Sequence, residues 1–105
     1  HLGCKAILAL TESGSTALWM SRHNIKVPIY GLTSQVFSQR KMTLYRNVRP
    51  LLMPAFRDRD EALTSAEALL VERGVLQPGD TYAITCGEPM GYPGGTNMLK
   101  VCRVP

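Results

Sequence analysis

Two segments hold the residue types that could take a ligand. Thr11-Glu12-Ser13-Gly14-Ser15-Thr16 puts four hydroxyls and a glycine between an apolar run and the next helical pattern. At a helix start, free backbone N–H groups and the helix dipole favour an anion such as phosphate. The Gly-x-x-x-x-Gly-Lys spacing of a Walker loop is absent, as is the lysine that would reach a terminal phosphate. Residues 87–95, Gly-Glu-Pro-Met-Gly-Tyr-Pro-Gly-Gly, contain four glycines and two prolines, so no helix forms there and the backbone can come close to a ligand. An ordinary helix cap and a sharp turn use the same residues, and both plain alternatives stay open at this point.

Covalent and acid–base chemistry find little support. His1 is terminal and His23 stands beside Asn24 after a helix, so neither is expected to move protons. No paired carboxylates or metal-ligand spacing can be picked out. Cys4, Cys86 and Cys102 are odd in number and far apart, as expected of reduced, partly buried thiols. Trp19 and Met20 read as packing or interface residues.

The elements that must position the two segments follow from apolar runs and breakers. Residues 5–10 are an apolar strand buried on both faces, and a helix through Ala17, Leu18 and Met20 ends before Pro28. Residues 27–32 form a second strand. Ser34 is the expected N-cap of a helix with Val36, Phe37, Arg40 and Lys41 at helical spacing. Residues 47–53 read as an edge strand, because Pro50 removes a ladder donor. Ala62, Leu63, Ala66, Leu69, Leu70 and Arg73 recur at helical spacing from the acidic start 58–61 to Gly74. After the turn 77–80 come a strand at 81–86 and a last strand at 98–104.

The alternation is that of an α/β domain: three layers, α/β/α, around a five-stranded, mostly parallel sheet, with the last strand antiparallel at an edge. Three helices are few for five strands. One face should therefore be under-covered, as if helices preceded residue 1, with an apolar patch near helix 60–73 and weak self-association. Ligands of open α/β sheets bind at the carboxyl ends of strands where the winding reverses. If the fourth strand returns beside the first, that crevice lies between them, and the loops leaving those two strands are the two unusual segments.

Length and charge bound the partners. The chain has 105 residues and a formal charge of +4, enough for one core without disulfides. Residues 13–57 carry seven bases and no acid, and residues 58–88 carry seven acids against Arg59 and Arg73. The basic half lacks the interleaved aromatics and groove-reading helix of a nucleic-acid binder, so a solvated face or an acidic partner surface is expected. No apolar run approaches the roughly 18 residues of a membrane span, and the first residues lack a secretory signal, so no membrane partner and a cytoplasmic location are expected.

The motifs resemble a known family. Residues 8–17 (LALTESGSTA), 27–33 (VPIYGLT) and 44–50 (LYRNVRP), then Gly79-Asp80 and Gly94-Gly95-Thr96-Asn97, resemble the C-terminal domain of pyruvate kinase in order and spacing, over nearly the whole chain. The resemblance implies that residues 1–105 are that domain, truncated at its N-terminus. It implies a regulatory and subunit-assembly role beside a catalytic barrel in a homotetrameric glycolytic enzyme. The barrel, with magnesium and potassium, would carry phosphoryl from phosphoenolpyruvate to ADP; no cofactor is implied for this domain. A phosphorylated effector would sit on Thr11, Ser13, Gly14, Ser15 and Thr16, under a loop containing Gly87, Glu88, Pro89, Gly91, Gly94 and Gly95. Glu12 stands where bisphosphate-responsive members often have Lys, Ser15 where they often have Arg, and Glu88-Pro89 replaces a Trp-Arg-Pro. These departures argue against fructose bisphosphate and for a sugar or nucleotide monophosphate, or a lapsed effector site in a pure assembly module. A stand-alone flavodoxin-like phospholigand binder is the further alternative.

Overall fold

Strands form where the apolar runs lie, and helices fill the intervals between them. The computed structural model describes residues 3–11, 15–22, 26–54, 59–86 and 99–105, with the backbone alone at 15, 16, 19, 59, 86 and 99. The elements are β1 (Cys4–Leu10), α1 (Ser15–Ser21), β2 (Ile29–Thr33), α2 (Val36–Met42), β3 (Val48–Leu52), α3 (Arg59–Glu72), β4 (Thr81–Cys86) and β5 (Leu99–Arg103). The sheet order is β3-β2-β1-β4-β5. The β1–β2, β2–β3 and β1–β4 pairs are parallel, and β4–β5 is antiparallel. Pro50 lies on the edge strand β3, as its missing N–H requires.

Both sheet faces are covered, so β1 is apolar without alternation apart from Lys5. Successive side chains still point to opposite faces. Leu8, Leu10, Tyr30, Leu32, Tyr82 and Ile84 join Ala62, Ala66 and Leu70 of α3 in one core. Ile7, Ala9, Ile29 and Ala83 pack on the other face with Ala17 and Met20 of α1 and Met42 of α2. Each fully buried large side chain, such as Leu8 or Ile84, contributes about 1.5–3 kcal/mol. Among the described residues, α3 alone covers the first face. On the second, the edge residue Val101, opposite Ala83, is 59% exposed.

The end of α3 follows from one residue. Gly74 has φ +79°, and the Val75 and Gly74 N–H groups donate to the Leu70 and Val71 carbonyls. That left-handed closure favours glycine. Beyond it, Gln77 N–H donates to the Asp80 carboxylate and Asp80 N–H to the Gln77 carbonyl, each at 2.9 Å, closing the turn into β4.

Two expectations for α2 need correction. Ser34 is not its N-cap: Gln35 holds that position without a side-chain cap, and the Thr33 hydroxyl accepts the Gln35 N–H at 3.1 Å instead. Its buried residues are Ser38 and Met42, whereas Val36 and Phe37 are 48% and 75% exposed. Packing depth decides this orientation. Gly31 on β2 leaves a hollow that Met42 fills, which turns the Met42 side of the helix inward. Among the described residues, Val36, Phe37 and Leu44 are large exposed apolar side chains at α2 and just beyond it, while α3, where a patch is expected, contributes Val71 at 38%.

Candidate functional site

The winding reverses between β1 and β4, which are adjacent, with Leu10 directly opposite Cys86. This is the geometry at which an open parallel sheet forms a crevice at its carboxyl edge. Both unusual segments leave from that point. Thr11 follows β1 immediately, and α1 begins at Ser15, so its first backbone amides lie at the same sheet end. Because Thr85 pairs with Leu99, the chain leaves β4 and re-enters β5 at that same end of the sheet, with β4 next to β1 and β5 one strand further out.

Thr11 is buried, at 2% exposure, and its N–H donates to the Leu32 carbonyl at 2.9 Å, latching the β1 exit to β2. The backbone of Ser15 and Thr16 forms the first turn of α1. Ser13, Gly14, Gly87, Glu88, Pro89, Gly91, Gly94 and Gly95 lie outside the described residues, as do Glu12, His1 and His23.

The fold adds hydroxyls that motif reading passes over. Thr33 ends β2 and Thr85 lies next to the end of β4, and both are buried, as is Ser38 of α2. By strand alternation Thr11, Thr33 and Thr85 continue the face of Ala9, Gly31 and Ala83, the side covered by α1 and α2. Thr11 and Thr33 thus stand just beyond or at the ends of β1 and β2, and Thr85, opposite Ala9, is set one pair back on the same face. Among the described residues every fully buried side-chain nitrogen or oxygen has a hydrogen-bond partner, so these hydroxyls are already satisfied within the fold. The sequence signal is a threonine closing an apolar run, visible only after the strands are placed side by side.

On the opposite face, the Tyr82 hydroxyl donates to the Glu67 carboxylate at 2.6 Å, joining α3 to β4. Burial, then the hydrogen bond to Glu67, push the Tyr82 hydroxyl above the ordinary tyrosine range, so it stays protonated as the donor. Arg49 lies over the Tyr30 ring at 5.9 Å and donates to its hydroxyl at 3.4 Å. Among the described residues no group of His, Cys, Asp or Glu could hold a metal ion, and no helix is long and apolar enough to cross a membrane.

Comparisons with known proteins agree with this architecture. The family model for the pyruvate kinase alpha/beta domain matches residues 1–102. A pyruvate kinase of Buchnera aphidicola subsp. Baizongia pistaciae is 38% identical over 105 residues, covering 99% of this chain and 22% of that protein. One from Staphylococcus haemolyticus is 37% identical over 101 residues, covering 96% and 17%. Among solved structures, Cryptosporidium parvum pyruvate kinase in complex with ADP superposes with a TM-score of 0.82 at 25% identity, over 97% of this chain and 20% of that one. The chain thus spans about a fifth of the length of the proteins it matches.

Proposed function

Because this chain belongs to the pyruvate kinase alpha/beta-domain family, we propose that it is the regulatory and subunit-assembly domain of such an enzyme, binding a phosphorylated effector at the β1–β4 crevice. The observation that supports this is the adjacency of β1 and β4, the two strands after which the ligand-competent segments begin, at the topological switch point of the sheet. In the enzyme, a separate catalytic barrel with magnesium and potassium would transfer phosphoryl from phosphoenolpyruvate to ADP, and subunits would assemble as a homotetramer. Neither ion is assigned to this domain, and its described residues offer no carboxylate, thiol or imidazole cluster for a metal.

The effector would be held by the first amides of α1 and the hydroxyls of residues 11–16. A ligand spanning the two segments ties the β1 exit to the β4 exit, which gives it a grip on the relative position of two central strands. Residues 11–16 and 87–98 together contain Glu12 and Glu88 and no lysine or arginine. A bisphosphate brings more charge than hydroxyls and amides alone balance, so a sugar or nucleotide monophosphate fits better. The same two acids favour a second reading, in which the effector site has lapsed and the domain serves assembly alone.

A thermal-shift titration of the protein with fructose bisphosphate, ribose 5-phosphate, glucose 6-phosphate and AMP separates these. A ligand at a hundred times its Kd stabilises by about 2.7 kcal/mol, or roughly 10–20 °C for a domain of this size. A rise with one monophosphate is the expected result. A rise with the bisphosphate alone overturns the choice of effector, and no rise with any of the four supports the assembly reading.

A further inference from the structure

We propose that the turn between α2 and β3 is where the rest of the enzyme docks: Leu44 enters an apolar hollow rimmed by carboxylates on the part of the full-length chain that precedes residue 1. This rests on the pyruvate kinase reading above. Among the described residues Leu44 is the most exposed large apolar side chain, at 84%, and a loose loop is not the cause. The Thr43, Leu44 and Tyr45 N–H groups donate to the Arg40, Lys41 and Met42 carbonyls at 3.2, 3.2 and 3.1 Å, and the Thr43 hydroxyl donates to the Arg40 carbonyl at 2.6 Å. Tyr45 packs on the core beneath α2. Asn47 takes a left-handed φ of +61°, and its side-chain amide donates to the Val27 carbonyl at 2.9 Å. Held on both sides, the turn keeps Leu44 pointing outward. Phe37, 75% exposed, extends the apolar surface along α2, with the Lys41 ammonium 5.7 Å from its ring centroid.

Position in the fold selects the occupant. Because β1, β2 and β3 are parallel neighbours, the start of β1, the α1–β2 connection and the α2–β3 turn all lie at one edge of the sheet, opposite the effector crevice. Chain that precedes Cys4 therefore reaches the sheet two strands from β3, about 10 Å away. This chain covers 22% and 17% of two pyruvate kinase relatives, so most of their length lies outside it. Charge sets the chemistry of the surface that comes there. Arg22, Lys26 and Arg46 are exposed at the same edge, and residues 13–57 contain no acid. Whatever receives Leu44 must bring its own carboxylates. A second copy seated here about a two-fold axis would set these cations against themselves, so charge and chain entry both point to the preceding part of the enzyme.

Carbodiimide cross-linking of the full-length enzyme that carries this chain, read by peptide mass spectrometry, tests this, because the reagent joins only amines and carboxylates in contact. Lys26 or Lys41 should couple to an Asp or Glu that precedes residue 1. In the same enzyme Leu44→Cys should react with a maleimide at least about tenfold more slowly than after unfolding in urea, since labelling waits for the docked turn to open. A cross-link from either lysine to the acids of α3, which lies on the opposite face of the sheet, assigns the surface to a second copy and overturns the proposal. So does the absence of any cross-link from wild-type Lys26 and Lys41, or labelling of Leu44→Cys at the unfolded rate. Either of those results in an enzyme that still forms pyruvate from phosphoenolpyruvate and ADP overturns the docking alone. A full-length protein without that activity overturns the reading on which the docking rests.

Discussion

Replacing Gly31 with alanine asks how tightly α2 is set on the sheet. Gly31 lies in β2 beneath Met42, and a Cβ there would collide with the Met42 Sδ and stand 3.1 Å from its Cε and 3.4 Å from Val48 Cγ1. Met42 is fully buried, so its thioether can move only by displacing its neighbours. Overpacking of this kind costs about 1–3 kcal/mol, and methionine's flexibility places Gly31→Ala in the lower half of that range. Alanine's advantage over glycine in the unfolded chain and in a strand returns less than about 1 kcal/mol. The expected net loss is about 1 kcal/mol, a drop in Tm of roughly 4–8 °C, read by urea and thermal unfolding under circular dichroism. Met42→Ala alone should cost about 2–5 kcal/mol by leaving a cavity. In the double variant the new Cβ occupies space that Met42 vacated, so the two losses should fall short of additive by at least about 1 kcal/mol. Gly31→Ala as stable as wild type, or additivity within about 0.5 kcal/mol, would refute the close-approach account of how α2 is oriented.

Tyr82→Phe should destabilise the protein by about 1–2 kcal/mol in denaturant titrations, because the half-buried Glu67 carboxylate loses its 2.6 Å donor. The folded Tyr82 pKa is raised, so its contribution is complete below the unfolded value near 10 and declines above it, as the unfolded chain releases the proton first. Wild-type stability should therefore fall more steeply above pH 10 than that of Tyr82→Phe, measured by urea midpoints across pH 8–11. Gly74→Ala, at φ +79°, should cost about 1 kcal/mol without moving the spectrum of the folded state. Glu12→Lys should tighten sulfate or phosphate binding at least about tenfold by calorimetry, since a like charge near the anion becomes an opposite one; unchanged affinity would remove the charge argument against bisphosphates.

Much of the architecture is legible in the chain. The apolar runs at β1 and β4, the acidic start and Gly74 end of α3, and Pro50 on an edge strand all follow from local chemistry. The β1–β4 junction is the switch point on the condition that the fourth strand returns beside the first, and the sheet order meets that condition. The candidate site is legible to the extent that composition marks residues 11–16 and 87–95 as unusual. Less legible is α2, where helical spacing draws attention to Val36 and Phe37 although Ser38 and Met42 are the residues buried.

What the sequence determines by itself is therefore the kind and order of the elements, because strand alternation, capping and turn chemistry act within a few residues. Tertiary structure decides which side of α2 meets the sheet, since that depends on a hollow at Gly31 supplied by another strand. It decides that Tyr82 finds Glu67 fifteen residues away. It also decides that buried threonines at or near the ends of three separate strands share one face of the sheet. Each of these is a relation between distant residues, settled by close packing in the interior, to which local propensity is blind.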